Sequence, residues 1–168
     1  MHRLQLVPEC YAETTMVKEL FFDFDYYLNH ASGISQVNSI LKKEDIDNYI
    51  NIGFVDNDKK NVPPYFDEFE TIGNSNNVVL KKHPLTNDYL LVVNPAIEGF
   101  LLSQLNEIGK SPIDYDLSIN FKEFKHKMKK QSIQHHAGYK RMLNDLKDAN
   151  PEGIRFIIDT VNSLQNVP

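Results

Sequence analysis

The sequence of 168 residues has no tryptophan, only one cysteine, and no apolar run long enough to cross a bilayer. A single cysteine cannot form a disulfide within the chain, and the first residues lack the pattern of a secretory signal. The chain also has no glycine-rich phosphate loop and no Cys/His spacing typical of zinc. We therefore expect a cytoplasmic protein with no membrane partner, no zinc site and no ATP-binding motif of its own.

The length suits a single domain, and we expect an α/β core over residues 1–109 followed by a helical extension over 110–168. The net charge of −5 argues against a protein that is basic throughout, but residues 121–147 carry eight Lys/Arg against two acids. Such a segment is either a nucleic-acid footprint or a solvated helix face. The candidate nucleic-acid-binding residues are Lys59, Lys60, Lys122, Lys125, Lys129, Lys130, Lys140 and Arg141.

Hydrophobic patterning predicts strands at residues 4–8, 50–55, 78–80 and 89–93. It predicts helices at about 14–31, 34–43 and 95–108, with Asn94 as the N-cap of the third, and a helical last third. Residues 61–77 contain Pro63-Pro64 and many turn formers, which predicts a long irregular loop. This order predicts an α/β fold in which a mostly parallel central sheet is flanked by helices.

Acidic residues follow the first two predicted strands. Glu9 comes after the strand at 4–8, and Asp56 and Asp58 end the strand at 50–55 on one side of it. If these strands are parallel, their carboxyl ends meet at one edge of the sheet, where open α/β sheets bind ligands. Carboxylates there suit Mg²⁺ or Mn²⁺. The run from Asp56 to Asn61 is also good turn chemistry, so an ordinary strand end is the alternative.

Two further acids have both a structural and a functional interpretation. Glu98 falls in the first turn of the predicted helix at 95–108, which follows a strand. Glu13 suits the start of the predicted helix at 14–31. Acids in such positions complement the helix dipole, and Glu98 would also be a third carboxylate at the same sheet edge as Glu9 and Asp56. A metal held there would activate water for phosphodiester cleavage, with Lys59 and Lys60 neutralising the substrate backbone. The thiol of Cys10 is no nucleophile, because a neighbouring carboxylate raises its pKa.

Three segments together resemble the Toprim domain of topoisomerases, primases and related nucleases. Residues 6–13 (LVPECYAE) resemble its Glu-Gly-x-x-Glu strand, 54–58 (FVDND) its Asp-x-Asp strand, and 93–102 (VNPAIEGFLL) its Asn-Pro-x-x-Glu-x-x-Leu-Leu element. The chain looks more like small stand-alone Toprim-like proteins and the nuclease part of OLD-family and RloB-like proteins than like the topoisomerases. The resemblance covers about residues 4–102, in the expected order, and implies a Toprim-like (Rossmann-like) sheet.

The resemblance implies a Mg²⁺- or Mn²⁺-dependent nuclease, in phage defence or a mobile element, that works with a separately encoded ATPase. It makes Glu9 the catalytic acid/base or a metal ligand, Asp56 and Asp58 metal ligands, and Glu13 and Glu98 supporting ligands. The family usually has glycine where this chain has Cys10, which indicates either a shifted site or a protein that has lost catalysis. Two alternatives therefore stay open: an inactive nucleic-acid or protein binding module on the same fold, and a phosphatase or phosphotransfer enzyme with Asp56 as nucleophile.

Overall fold

The computed structural model of the chain describes residues 3–43, 49–57 and 61–166. Within them the strands are β1 (Arg3–Pro8), β2 (Tyr26–Leu28), β3 (Tyr49–Asp56), β4 (Glu70–Ser75), β5 (Val78–Lys82) and β6 (Asp88–Val93). The α-helices are α1 (Tyr11–Leu20), α2 (Ile34–Lys43), α3 (Ile97–Glu107), α4 (Phe121–Met128), α5 (Ala137–Ala149) and α6 (Glu152–Gln165). Short 3₁₀ helices lie at Pro64–Glu68, Pro112–Tyr115 and Gln131–His135.

The strands form one mixed sheet in the order β2-β1-β3-β6-β5-β4. The first four are parallel to one another, and β5 and β4 run antiparallel as a hairpin at one side. The predicted α/β class with a mostly parallel sheet is therefore confirmed. The chain passes from β1 to β2 on one side and then to β3 on the other, so the winding reverses between β1 and β3. Ligands of open α/β sheets bind at such a switch point.

Helices cover both faces of this sheet. The main hydrophobic core joins the sheet to α1, α3, α5 and α6, and it includes Phe54, Phe100 and Tyr139, all fully buried. Core residues thus come from both sides of residue 109, so the helical last third packs on the same core as the sheet. On the other face α2 lies close to β3, because a Cβ on Gly53 would lie only 3.0 Å from the Val37 side chain of α2. None of the helices in residues 3–43, 49–57 and 61–166 has the length and apolar character needed to cross a membrane.

The predicted helix over 14–31 is wrong in its second half. Helix α1 ends at Leu20, and β2 follows as an edge strand parallel to β1, with Leu28 opposite Leu6. Tyr26 and Leu28 pack against the main core from this strand. Short runs rich in aromatic residues fit a helix or a strand equally well, and here the pairing with β1 decides.

The long loop predicted over 61–77 is also wrong. It contains the 3₁₀ helix Pro64–Glu68 and strand β4, which pairs with β5 through a turn at Asn76 and Asn77. Both turn residues have positive φ, 38° and 67°, which asparagine tolerates better than most residues. The turn formers that suggested irregular structure therefore close a hairpin.

Helix α3 begins later than predicted. It starts at Ile97 with Ala96 as its N-cap, so Asn94 is not the cap and Pro95, in a cis peptide bond, does not lie in the first turn. The Asn94 amide donates instead to the Asn77 carbonyl at 2.8 Å, which continues the pairing of β6 with β5 by one residue. Asn94 therefore continues the strand pairing, although local patterning assigned it to the helix as its N-cap.

Candidate functional site at the edge of the sheet

Glu9 and Asp56 lie side by side at the switch point between β1 and β3. The Glu9 amide donates to the Phe54 carbonyl at 3.1 Å, which extends the pairing of the two strands past Pro8. The Asp56 amide in turn donates to Glu9 Oε2 at 3.2 Å. The expectation that these two acids meet at one edge of a parallel sheet is confirmed.

Helix α3 adds two residues, Ile97 and Glu98, to this edge. The Ile97 amide, at the start of α3, donates to Asp56 Oδ1 at 2.8 Å. The next residue, Glu98, is only 3% exposed and lines the same cavity as Glu9 and Asp56. The partial positive charge of a helix N-terminus stabilises carboxylates in this position. The acid predicted to follow the strand at 89–93 therefore belongs to the same site.

Glu13 lies behind these residues in the first turn of α1 and is fully buried. Its Oε2 accepts hydrogen bonds from the amides of Glu9, at 2.8 Å, and Cys10, at 3.1 Å. Burial raises the pKa of Glu13 well above its usual value, and the charges of Asp56 and Glu9 raise it further. Its Oε1 is buried without a hydrogen-bond partner among the residues that the structure describes. A proton or a cation near this oxygen would relieve both costs.

Cys10, where the Toprim signature has glycine, lies in extended backbone at φ −137° and ψ 173° as the N-cap of α1. Any residue adopts this conformation, so the backbone here does not require glycine. Burial raises the pKa of the Cys10 thiol, and the charge of Glu13 raises it further. The direction of this shift agrees with the expectation that the thiol is not activated, but its main cause is burial and not a neighbouring carboxylate.

The carboxylates open into a cavity of about 300 Å³. Glu9, Asp56 and Glu98 form its acidic wall. Lys129, the residue after the end of α4, also lines the cavity and carries the opposite charge. The remaining lining residues are Cys10, Tyr11, His30, Ala31, Ser32, Gly33, Ile97 and Met128. The last third of the chain therefore completes a site whose acids come from the first hundred residues.

His30 is a cavity residue that sequence reasoning missed. The hydroxyl of Thr14 donates its one proton to the Cys10 carbonyl at 2.8 Å and lies 2.7 Å from His30 Nδ1. When the Thr14 proton lies on the Cys10 carbonyl, His30 Nδ1 carries the ring proton and donates it to Thr14. His30 Nε2 is buried without a hydrogen-bond partner in the described residues. Burial lowers the pKa of His30, and the charge of Lys18 lowers it further, so the ring is neutral.

One signal would have found His30. It stacks on Tyr11, with ring centroids 4.6 Å apart, and follows the end of β2 by two residues. The rule that located Glu9 and Asp56, polar residues just past a parallel strand, applies equally to His30. It was missed because residues 26–28 were assigned to a helix.

The carboxylates match Mg²⁺ or Mn²⁺ in donor type, and the unpartnered buried Oε1 of Glu13 is compatible with a nearby cation. No three His, Cys, Asp or Glu side chains in residues 3–43, 49–57 and 61–166 are grouped closely enough to hold an ion by themselves. Protein Mg²⁺ sites commonly use one or two carboxylates and complete the shell with water and substrate phosphate oxygens. Two of the acids present fit that arrangement. The predicted ligand Asp58, with Lys59 and Lys60, lies outside the described residues.

The predicted nucleic-acid-binding residues of the last third fall into two groups. Lys122, Lys129 and Lys130 are exposed and Lys125 is half-buried, and none of these α4-region lysines has an ion pair within the described part of the chain. In α5, Lys140 is half-buried and Arg141 pairs with Asp116 at 2.9 Å. Lysines without an ion pair in the described part of the chain are therefore concentrated in the α4 region, beside the cavity.

Comparison with family models, with curated proteins and with solved structures finds no match to this chain. The resemblance to Toprim domains accordingly stays an expectation from the three sequence motifs.

Proposed function

We propose that this protein is a divalent-metal-dependent phosphodiesterase of Toprim-like type that acts on nucleic acid. The observation that carries the proposal is the cavity at the switch point, which combines Glu9 and Asp56 from adjacent parallel strands with Lys129 from the end of a basic helix. Ligands of open α/β sheets bind at this place, and hard oxygen donors beside a cation suit a phosphate with its metal.

Each residue has a distinct role under this proposal. Glu9 and Asp56 would hold the ion, with Glu98 and Asp58 in support, and the bound ion supplies an activated water and stabilises the charge of the reacting phosphate. Lys129 contacts a phosphate oxygen and offsets the repulsion from the acidic wall. Glu13 is a positioning residue, because it holds the backbone amides of Glu9 and Cys10 rather than the substrate.

The first test is calorimetric titration of Mg²⁺ or Mn²⁺ into the wild-type protein and the Asp56→Asn variant. Asparagine keeps an oxygen that accepts from the Ile97 amide, so the variant loses charge and retains the hydrogen bond. We expect metal binding, and metal-dependent cleavage of labelled oligonucleotides, to fall by about 100-fold or more. Asp159→Asn, at an exposed position on α6, is the matched control and should behave as wild type.

Absence of binding at millimolar metal, together with no cleavage, would overturn the catalytic proposal in favour of a binding module on the same fold. A specific observation favours that second candidate. Glu9 and Asp56 each use a carboxylate oxygen to accept a backbone amide of a neighbouring segment, so both acids stabilise the sheet edge whether or not they bind metal. A binding module would bind nucleic acid with a steep salt dependence and would be indifferent to Asp56→Asn.

The phosphotransfer alternative and the proposed partner each have a separate test. A phosphotransfer enzyme with Asp56 as nucleophile would form a phosphoenzyme and hydrolyse small phosphate esters without nucleic acid, which the phosphodiesterase would not. The partner under the Toprim proposal is a separately encoded ATPase, in phage defence or a mobile element. A neighbouring ATPase gene whose product stimulates cleavage would support that assignment.

A further inference from the structure

Helix α4 connects the carboxylate cavity to a second, basic groove. Lys129 follows the last residue of the helix and lines the cavity. The next residue, Lys130, instead lines an open groove of about 530 Å³ together with Lys122 and Lys127. The remaining lining residues of this groove are Asn120, Glu123 and His126. The cavity and the groove are therefore neighbours across one helix end, and a ligand that lies along α4 reaches both.

The charge of the groove fits a polyanion. Its three lysines have no ion pair in the described part of the chain, and its one acid, Glu123, accepts a hydrogen bond from the Ser118 hydroxyl at 2.6 Å. Two other basic residues of the last third do have acidic partners: Arg141 pairs with Asp116, and Lys147 lies 3.8 Å from Asp23. In a protein of net charge −5, this concentration of unpaired cations is a local field that attracts phosphates.

The start of α4 leaves apolar side chains in solvent. Phe124 and Met128 are buried in the main core, whereas Phe121, one turn before Phe124, is 52% exposed, and Ile119 just before the helix is 69% exposed. Phe121 does not line the groove, but it directly precedes Lys122, which does. Unpaired bases stack on exposed aromatic rings that lie close to basic residues. Bases within a duplex have no free face for such a contact, so an exposed Phe121 next to a basic groove favours a single strand.

We propose that α4 is the track of a single-stranded nucleic acid. The backbone lies over Lys122, Lys127 and Lys130, one base stacks on Phe121, and the chain passes Lys129 to bring a phosphate into the cavity. Entry of one strand also suits the burial of the acids, because Glu9 and Glu98 are only 4% and 3% exposed. The binding part stands on α4 alone, and delivery of the phosphate for cleavage rests on the proposed phosphodiesterase function.

The test is fluorescence anisotropy with a labelled oligothymidylate of about 20 nucleotides and a duplex of equal length, in EDTA so that binding is separated from cleavage. We expect the single strand to bind more tightly than the duplex. Lys122→Gln/Lys127→Gln/Lys130→Gln should weaken single-strand binding and lower the slope of log affinity against log salt by about one per lysine. Phe121→Ala should weaken it by about tenfold or more, and Phe121→Trp should retain it, because stacking on one base contributes about this much.

Two controls match these changes. Lys110→Gln removes an exposed lysine, and Leu85→Ala an exposed apolar side chain, both away from α4, and neither should change the affinity. Equal binding of duplex and single strand, or wild-type affinity in the lysine and Phe121 variants, would overturn the proposal. So would binding to vesicles of phosphatidylserine and phosphatidylcholine that the same variants lose, because that outcome assigns α4 to a membrane surface.

Failure of this inference and failure of the proposed function give different results. Single-strand binding that depends on α4 without any cleavage would support the track and overturn the phosphodiesterase. Metal-dependent cleavage lost in Asp56→Asn, combined with binding that is unaffected by the α4 variants, would do the reverse. Asp56→Asn itself should bind the single strand at least as well as wild type in EDTA, since it removes a negative charge from the cavity.

Discussion

Gly138→Ala is expected to lower the free energy of unfolding by about 3 kcal/mol or more. Gly138 is buried in the first turn of α5, and a Cβ there would lie 1.8 Å from the Tyr115 carbonyl oxygen and 2.8 Å from its carbonyl carbon. Both atoms belong to backbone of the 3₁₀ helix Pro112–Tyr115, so no side-chain rotation relieves the overlap. Helix α5 and the 3₁₀ helix Pro112–Tyr115 therefore have to move apart, which disrupts their packing.

Urea unfolding followed by circular dichroism measures the change in the free energy of unfolding. In thermal unfolding, the midpoint temperature should fall by about 6 to 12 °C. Gly73→Ala is the matched control, because a Cβ at that position of β4 meets the Phe156 ring at an ordinary 3.5 Å. An unchanged midpoint for Gly138→Ala would mean that α5 does not lie against Tyr115 as described.

The same substitution should also reach the carboxylate site. Tyr139, next to Gly138, is fully buried, and its hydroxyl donates to the Ala12 carbonyl at 2.9 Å in the first turn of α1. That turn also carries Glu13, whose carboxylate holds the amides of Glu9 and Cys10. A displaced α5 therefore loosens the support of Glu9 over a path of direct contacts.

Glu13→Gln is expected to stabilise the metal-free protein at about pH 8 and to change it little near pH 4. The pKa of Glu13 in the folded protein lies well above its usual value of 4.5, first because of burial and then because of the charges of Asp56 and Glu9. A raised pKa contributes stability that is complete below the unfolded value and is lost as the pH rises through the folded value. Glutamine cannot ionise and so escapes this loss, which amounts to about 1.4 kcal/mol for each unit of elevation.

Urea midpoints of the wild type and Glu13→Gln between about pH 4 and pH 8.5, in EDTA, measure this difference. The side-chain oxygen of glutamine still accepts from the Glu9 and Cys10 amides, so the variant changes the charge and keeps the hydrogen-bonding oxygen. Glu123→Gln, at an exposed position on α4, is the control and should follow the wild type. Mg²⁺ should raise the stability of the wild type at pH 8 more than that of Glu13→Gln, because a cation takes the place of the missing proton. Parallel pH profiles for wild type and Glu13→Gln would contradict the assignment.

Residues next to well-patterned strands were predictable from the sequence. The apolar runs of β1, β3 and β6 are typical of buried parallel strands, and once those strands are placed, Glu9, Asp56 and Glu98 follow at one sheet edge. The helices of the last third were equally clear, because their apolar residues recur with helical spacing. Both features depend on periods of a few residues, which a single sequence carries in full.

The edge strands and the walls of the cavity depended on the tertiary structure. Strands β2 and β4 are short and lie at the two edges of the sheet, where pairing with one neighbour overrides an ambiguous local pattern. His30 reaches the site because β2 pairs with β1, Lys129 reaches it from the last third of the chain, and Tyr139 of α5 contacts the first turn of α1 beside it. No local period encodes such contacts, because they arise only when the helical last third packs against α1 and α3 in the shared core. The acids of this site were therefore readable from the sequence, whereas the cation and the imidazole that share their cavity were decided by the packing of distant elements.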